Sequence, residues 1–223
     1  MNIRRKFIPA AGFDIPCVTL TPANPRGSVV VIHGYGGCKE EQLGLAWRIC
    51  GIGLKTFVID LRGHGEHTLS LDHNVLQDVE TSIEHGRALG KVAAVGHSLG
   101  GRLCLISSAD FSIGISPALK TTYSADTRQL IDVMRGYRVR ESLPGVNFEI
   151  LTNLPVPHVL DTSKALLLFG SRDVPEIVAS CKELKGNGAA VIEIHQALHN
   201  DIFLLEETFG HVVKKLAEWF GIR

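Results

Sequence analysis

The feature that most limits how this chain can fold is a series of short apolar runs. Ser28–Ile32 reads SVVVI, Thr56–Ile59 reads TFVI and Val92–Val95 reads VAAV. Each is apolar at successive positions and stops at a glycine or polar residue, the pattern of a strand buried on both faces of a parallel sheet. Phe111–Ile115, Ala165–Phe169 and Ala190–Ile194 extend the series. Helical spacing fills the intervals. Glu41–Cys50 carries Leu43, Ala46, Trp47 and Cys50 on one predicted face, and Gln77–Leu89 carries Val79, Ile83 and Leu89. Pro175–Leu184 begins with a proline, whose missing N–H costs nothing in a first turn, and stops at Gly186-Asn187-Gly188. A last amphipathic helix is predicted over Ile202–Phe220. Strands alternating with helices give an α/β fold, a mostly parallel central sheet with helices on both faces.

Two segments stand outside this alternation. Ile3–Thr21 reads as an antiparallel hairpin turning near Ala11-Gly12. Residues 117–161 contain Pro144, Pro155, Pro157 and a charged patch over Arg135–Glu141, with no clean strand. They read as a small lid or insertion, helical around Thr127–Arg135. At 223 residues, the whole of 1–223 is expected to form one domain.

Charge and cysteine usage narrow the function classes. Lys plus Arg and Asp plus Glu are equal at 23 each, which offers no electrostatic support for nucleic-acid binding. The five cysteines are scattered and form no CxxC pair, so they read as reduced thiols of a cytoplasmic protein and not as a zinc site. No run approaches the ~20 apolar residues that span a bilayer. No membrane association and no metal are expected.

The chemistry is concentrated in four places. Gly96-His97-Ser98-Leu99-Gly100-Gly101 joins a predicted strand to a predicted helix. A serine there sits on a tight turn above the carboxyl edge of the sheet, at the positive end of a helix. His33-Gly34-Tyr35-Gly36-Gly37 follows the SVVVI strand, and its backbone amides, Tyr35 above all, together with the Leu99 amide could face a developing oxyanion. The same sequence could equally be a mere tight turn. Asp173 lies just past the Ala165–Phe169 strand, where an acid could orient a histidine or simply cap the next helix. His199 lies between the last strand and the last helix. A serine hydroxyl needs a neutral imidazole to take its proton, and the imidazole needs a carboxylate to fix its tautomer.

Together with Asp60-Leu61-Arg62-Gly63-His64-Gly65, these motifs resemble the α/β-hydrolase superfamily, its compact esterase, dienelactone-hydrolase-like and serine-aminopeptidase-like branches in particular. The resemblance runs from about Ser28 to the C-terminus and is weakest over 117–161. It implies an α/β-hydrolase fold and a catalytic triad of Ser98, Asp173 and His199. It further implies an oxyanion hole of the Tyr35 and Leu99 amides, with no metal and no organic cofactor. The order Ser, Asp, His along the chain is the one that arrangement requires.

Rivals exist for each role. Among ten histidines, His195 at the end of the last strand competes with His199. His33, His64 and His97 occupy motif positions used structurally, and His67 and His73 fall in a polar loop expected to be solvated. Asp126 and Asp161 compete with Asp173, and Asp60 reads as part of a turn-fixing network. Arg102, one turn beyond Ser98, could reach a substrate carboxylate, but a solvated or salt-bridged helix arginine is the commoner outcome. The leading function is hydrolysis of a small or medium carboxylic ester through an acyl-Ser98 intermediate. Thioester and amide or peptide cleavage share its oxyanion step, and the same triad would serve cofactor-free haloperoxidase or lyase chemistry. A catalytically silent binding protein on the same fold is the alternative of another class.

Overall fold

The computed structural model describes residues 1–222. Eight strands form one sheet: β1 Asn2–Pro9, β2 Asp14–Thr21, β3 Ser28–Ile32, β4 Lys55–Ile59, β5 Val92–His97, β6 Phe111–Ile115, β7 Ala165–Arg172 and β8 Val191–Leu198. Their spatial order is β1-β2-β4-β3-β5-β6-β7-β8. β1 and β2 pair antiparallel and β2 joins β4 antiparallel, so the opening hairpin is an add-on to a parallel core. From β4 to β8 every pairing is parallel.

The helices are α1 Leu43–Gly51, α2 Val75–Gly86, α3 Leu99–Ile106, α4 Ala125–Arg135, α5 Val146–Asn153, α6 Pro175–Gly186 and α7 Glu206–Trp219. Alternation along the strands sorts them into two layers. Val29 and Val31 of β3 pack with α1 and α7 residues such as Ile49, Val212 and Leu216. Val30 and Ile32 of the same strand pack on the other face with Val79 and Ile83 of α2 and Leu103 of α3. The side-chain period of two leaves no polar face on β3, which is why its run is apolar throughout. Each of these fully buried aliphatic side chains stabilises the fold by about 1.5–3 kcal/mol relative to exposure.

Several sequence expectations are corrected in detail. The helix after β3 buries Leu45, Ala46, Ile49 and Cys50, while Trp47 is half-exposed. A 3-10 turn over Lys39–Gln42 precedes this helix, which the periodicity from Leu43 did not anticipate. The last strand continues past Ile194 to Leu198, with a register shift against Gly170 and Arg172 and a left-handed Gln196 (φ 58°). His195 therefore lies within β8 on an exposed position and does not end it. The 117–161 segment contains α4 and also α5, which was not expected. α5 buries Val146, Phe148, Ile150 and Leu151 in the core, whereas α4 buries none of its residues.

The chain doubles back at β3, whose neighbours are β4 on one side and β5 on the other. Ligands of open parallel sheets bind in the crevice at the carboxyl ends of strands where such a reversal occurs. The Gly34-Tyr35 turn leaves β3 there and Ser98 leaves β5 beside it.

Candidate active site

Ser98 sits between β5 and α3 with φ 54° and ψ −115°, a backbone conformation that L-residues rarely adopt and that costs about 1–3 kcal/mol. The neighbouring bonds hold it there. Its amide donates to Ile115 O at 2.9 Å, and its carbonyl accepts from the Arg102 and Ala118 amides at 3.1 Å each. Close approach demands glycine on both sides. A Cβ on Gly96 would stand 2.4 Å from the Gly100 backbone, and one on Gly100 would stand 2.4 Å from His33 O. The turn is tight because strand and helix touch through backbone alone.

His199 lies in the loop between β8 and α7. Its Nε2 is 3.1 Å from Ser98 Oγ and its Nδ1 is 2.8 Å from Asp173 Oδ1. Since the carboxylate only accepts, Nδ1 carries the proton and Nε2 is free to accept from the serine hydroxyl. Asp173, 8% exposed, also accepts from the Val174 amide at 2.7 Å, the Gly170 amide at 3.4 Å and the Ser116 hydroxyl. Burial alone would raise its pKa. The His199 and Ser116 hydrogen bonds more than offset this, so Asp173 stays below the usual carboxylate range.

Three groups around this chain of bonds carry no sequence signal strong enough to assign them in advance. Ser116 terminates β6 with a left-handed φ of 46°, fully buried, and its hydroxyl holds Asp173 from the side opposite His199. His97 donates from Nε2 to His199 O at 2.9 Å and packs at a tilt against the His199 and Phe203 rings. Burial and the neighbouring His199 hold the His97 pKa well below 6.5, so it anchors the His199 loop as a neutral ring. Arg102 meets neither expectation set for it. It is fully buried, and it donates to the carbonyls of Ala118, Lys120, Leu154 and Pro155. It thus pins both ends of the segment carrying α4 and α5 to the helix behind Ser98.

The turn facing Ser98 is equally constrained. A Cβ on Gly34 would stand 2.9 Å from Ser98 Cβ, so the Gly34-Tyr35 backbone lies directly over the serine. The Tyr35 amide has no protein acceptor among the described residues. Leu99 is the first residue of α3, so its N–H has no intrahelical acceptor either. The Asp60–Gly65 loop grips this turn. His64 Nε2 accepts from the Gly36 amide at 3.0 Å and His33 Nε2 accepts from the Leu61 amide at 3.1 Å. Both rings donate from Nδ1 to backbone carbonyls, and burial lowers their pKa values to about 3 and about 4 respectively. Asp60, fully buried, accepts from the Lys39 amide, Lys39 Nζ and the Glu66 amide at 2.8, 2.6 and 2.9 Å. The Tyr35 hydroxyl donates to Glu141 Oε1 at 2.9 Å and so ties the turn to the 117–161 segment.

The rival residues fall elsewhere. Asp126 is exposed in the first turn of α4, and Asp161 is exposed where it precedes β7 and bonds Ser163. His67 is buried, not solvated, because Phe13 covers its ring. His73 is half-exposed, 3.5 Å from Glu149. Among the described residues no group of three or more His, Cys, Asp or Glu is arranged to hold a metal ion, and no helix is long and apolar enough to cross a membrane.

Ser98 and His199 open onto a cavity of about 450 Å³ between the sheet edge and α4 and α5. A sequence model described as "Alpha/beta hydrolase family" matches residues 29–191. The chain belongs to the alpha/beta hydrolase family. The matched span includes Ser98 and Asp173 and ends before His199. The chain is 29% identical over 113 residues to ethanol acetyltransferase 1 of Wickerhamomyces anomalus, covering 48% of this chain and 29% of that protein. It is 31% identical over 116 residues to a monoacylglycerol lipase of Mycolicibacterium smegmatis, covering 47% of this chain and 41% of that protein. The match thus spans less than half the length of either relative. Among solved structures, Est1E of Butyrivibrio proteoclasticus with bound ferulic acid superposes with a TM-score of 0.74 at 19% identity, covering 97% of this chain and 99% of that one. A soluble variant of the Saccharomyces cerevisiae monoglyceride lipase superposes with a TM-score of 0.67 at 17% identity, covering 96% and 94%. As an alpha/beta hydrolase, the chain has the mostly parallel sheet and strand-to-helix turns of that fold.

Proposed function

We propose that this alpha/beta hydrolase is a serine hydrolase that cleaves a carboxylic ester through an acyl-Ser98 intermediate. The observation that carries the reading is the unbroken line from Ser98 Oγ through the His199 ring to Asp173, with the acceptor-free Tyr35 and Leu99 amides on the two turns beside it. Ser98 Oγ attacks the ester carbonyl carbon as His199 Nε2 takes its proton. The carbonyl oxygen becomes an oxyanion and accepts from the Tyr35 and Leu99 amides. Asp173 stabilises the imidazolium so formed. Collapse of the tetrahedral species breaks the C–O bond, and the departing alcohol takes the proton from Nε2. Water then attacks the acyl-serine by the same steps, releasing the acid and restoring Ser98. Each oxyanion donor is worth about 2.7–4 kcal/mol in the transition state.

The names of the monoacylglycerol lipase relative and the monoglyceride lipase neighbour favour esters over amides as the first substrates to try, and the mostly apolar cavity fits a neutral acyl group. In this reading residues 1–223 are one domain, and 117–161 form a short lid over the cavity. The five unpaired cysteines fit a reducing, cytoplasmic setting.

The test is intact mass after incubation with a fluorophosphonate. One adduct on the wild type and none on Ser98→Ala is the expected result. A folded wild type that stays unlabelled would overturn the serine-hydrolase reading in favour of a silent binding protein.

A further inference from the structure

The Tyr35 side chain is tethered by a residue 106 positions away. Its hydroxyl donates to Glu141 Oε1 at 2.9 Å. The other oxygen, Glu141 Oε2, accepts from the Gly145 amide at 2.8 Å, just before α5. Glu141 is itself fixed from behind, because residues 140–142 lie along the Gly63–Leu71 loop. There the Arg140 amide donates to Gly63 O at 2.9 Å, the Leu71 amide to Arg140 O at 2.7 Å and the Ser142 amide to Leu71 O at 3.0 Å. The Arg140 guanidinium adds bonds to the carbonyls of Gly65 and His67. The last residue of α4 presses on the same turn: a Cβ on Gly36 would stand 2.5 Å from Arg135 Cβ and 2.9 Å from Arg135 O.

The backbone under this tether is one that glycine leaves loose. Tyr35 stands between Gly34 and Gly36, the latter left-handed at φ 68°. Glycine admits rotations that other residues resist, so the peptide groups of the turn are held only by what they bond. The Gly36 amide donates to His64 Nε2 at 3.0 Å and the Gly37 amide to Gly34 O at 3.0 Å. The Tyr35 amide has no such bond among the described residues. An oxyanion donor is effective when its N–H is aimed before the charge develops. The Tyr35 side chain supplies the restraint that its amide lacks. Its ring meets the His64 ring edge-on, with centroids 5.9 Å apart, and its hydroxyl is anchored on Glu141. Burial, and then the bond to Glu141, raise the Tyr35 pKa, so the phenol keeps its proton and donates to the carboxylate.

We propose that Glu141 is a positioning residue for the reaction: through the Tyr35 hydroxyl it fixes the Tyr35 backbone amide in the direction of the oxyanion. This role rests on the serine-hydrolase reading above. It makes the stretch after α4 a brace for the oxyanion turn, beyond the cover that 117–161 gives the cavity. Removing an oxyanion donor outright costs roughly 100- to 1,000-fold in kcat, and a donor left in place but loosened is expected to cost about 10-fold.

The experiment follows hydrolysis of p-nitrophenyl butyrate and its inhibition by two ligands. With butylboronic acid, Ser98 Oγ bonds to boron as the serine proton passes to His199; no group leaves, and the tetrahedral anion formed calls on the oxyanion donors. With 1-hexanol the cavity is occupied and no oxyanion forms. Tyr35→Phe keeps the ring and removes only the tether. That variant and Glu141→Ala are each expected to lower kcat/KM by ~10-fold and to weaken butylboronic acid by the same factor, with 1-hexanol inhibition unchanged. The double variant should match the singles, since both delete one bond, whereas a loss routed through the Gly145 amide would persist on the Tyr35→Phe background. Glu141→Gln should recover most of the loss, because a carboxamide in either orientation can pair with a hydroxyl. Wild-type kcat/KM in either single variant, a ~100-fold loss in the double variant, or a parallel loss of 1-hexanol affinity overturns the brace. A wild type that neither hydrolyses the ester nor takes the boronate sinks the hydrolase reading and the brace together. A wild type that does both, with unaffected variants, keeps the hydrolase and loses the brace.

Discussion

Ser116→Ala removes one hydroxyl and nothing else, since the replacement keeps a Cβ on the same left-handed backbone. The lost bond runs to Asp173, a carboxylate with two amide donors and His199 as its other partners. A hydrogen bond to a charged group is worth ~1.5–3 kcal/mol, which bounds the kinetic effect at roughly 10- to 150-fold. Only the part that strengthens as His199 becomes cationic lowers the barrier, and the two amides remain. The expected loss is therefore about 10-fold in kcat with KM little changed. Ser116→Gly supplies the control, because it deletes the same hydroxyl and also relieves the left-handed conformation, worth ~1–2 kcal/mol before the entropy of the more flexible unfolded chain is subtracted. The two variants should share one kcat on the best ester found, with the glycine variant melting higher. Wild-type kcat in Ser116→Ala would refute the positioning role. Full recovery in Ser116→Gly would assign the effect to backbone strain instead of the hydroxyl.

Other outcomes follow from the buried polar groups. Arg102→Met strips donors from the carbonyls of Ala118, Lys120, Leu154 and Pro155. It should lower stability by about 2–4 kcal/mol and speed hydrogen exchange in α4 and α5 more than in the sheet; uniform exchange would refute its pinning role. His33 and His64 titrate at about 4 and about 3 in the fold, below the ~6.5 of an unfolded chain. The unfolded chain thus binds more protons between these limits. Their stabilisation is fully present above pH ~6.5 and is lost as pH falls toward 4, by ~3 kcal/mol for a single shift of that size. His64→Gln should flatten the fall in Tm between pH 6.5 and 4, and an unchanged slope would refute the linkage.

The sheet was legible because its residues are buried on both faces, and a doubly buried strand has no choice of pattern. β3 and β6 have the bounds that their apolar runs indicate. Strand–turn–helix order likewise brought Ser98, the Gly34-Tyr35 turn, Asp173 and His199 to one edge, since parallel strands all end on the same side. Less was legible wherever a contact crosses the fold. Helix α1 buries Leu45 and Ile49 where the spacing pointed to Leu43 and Trp47, because its partners lie on α7 and the sheet. His195 and His199 were separable only once β8 ran on to Leu198 through a left-handed Gln196. The 117–161 segment carries two helices of opposite kind, one anchored by a buried face and one resting on the cavity rim.

By itself, then, the sequence determined the layers, the order of the strands' ends and which serine stands on the strained turn, because these depend on local spacing and on burial of whole faces. Tertiary structure alone decided that Ser116 braces Asp173, that His97 anchors the His199 loop and that Arg102 serves backbone carbonyls. Each of these is a meeting of groups 16 to 102 positions apart. Periodicity is blind to such meetings, since it records which face a residue takes and not what that face meets.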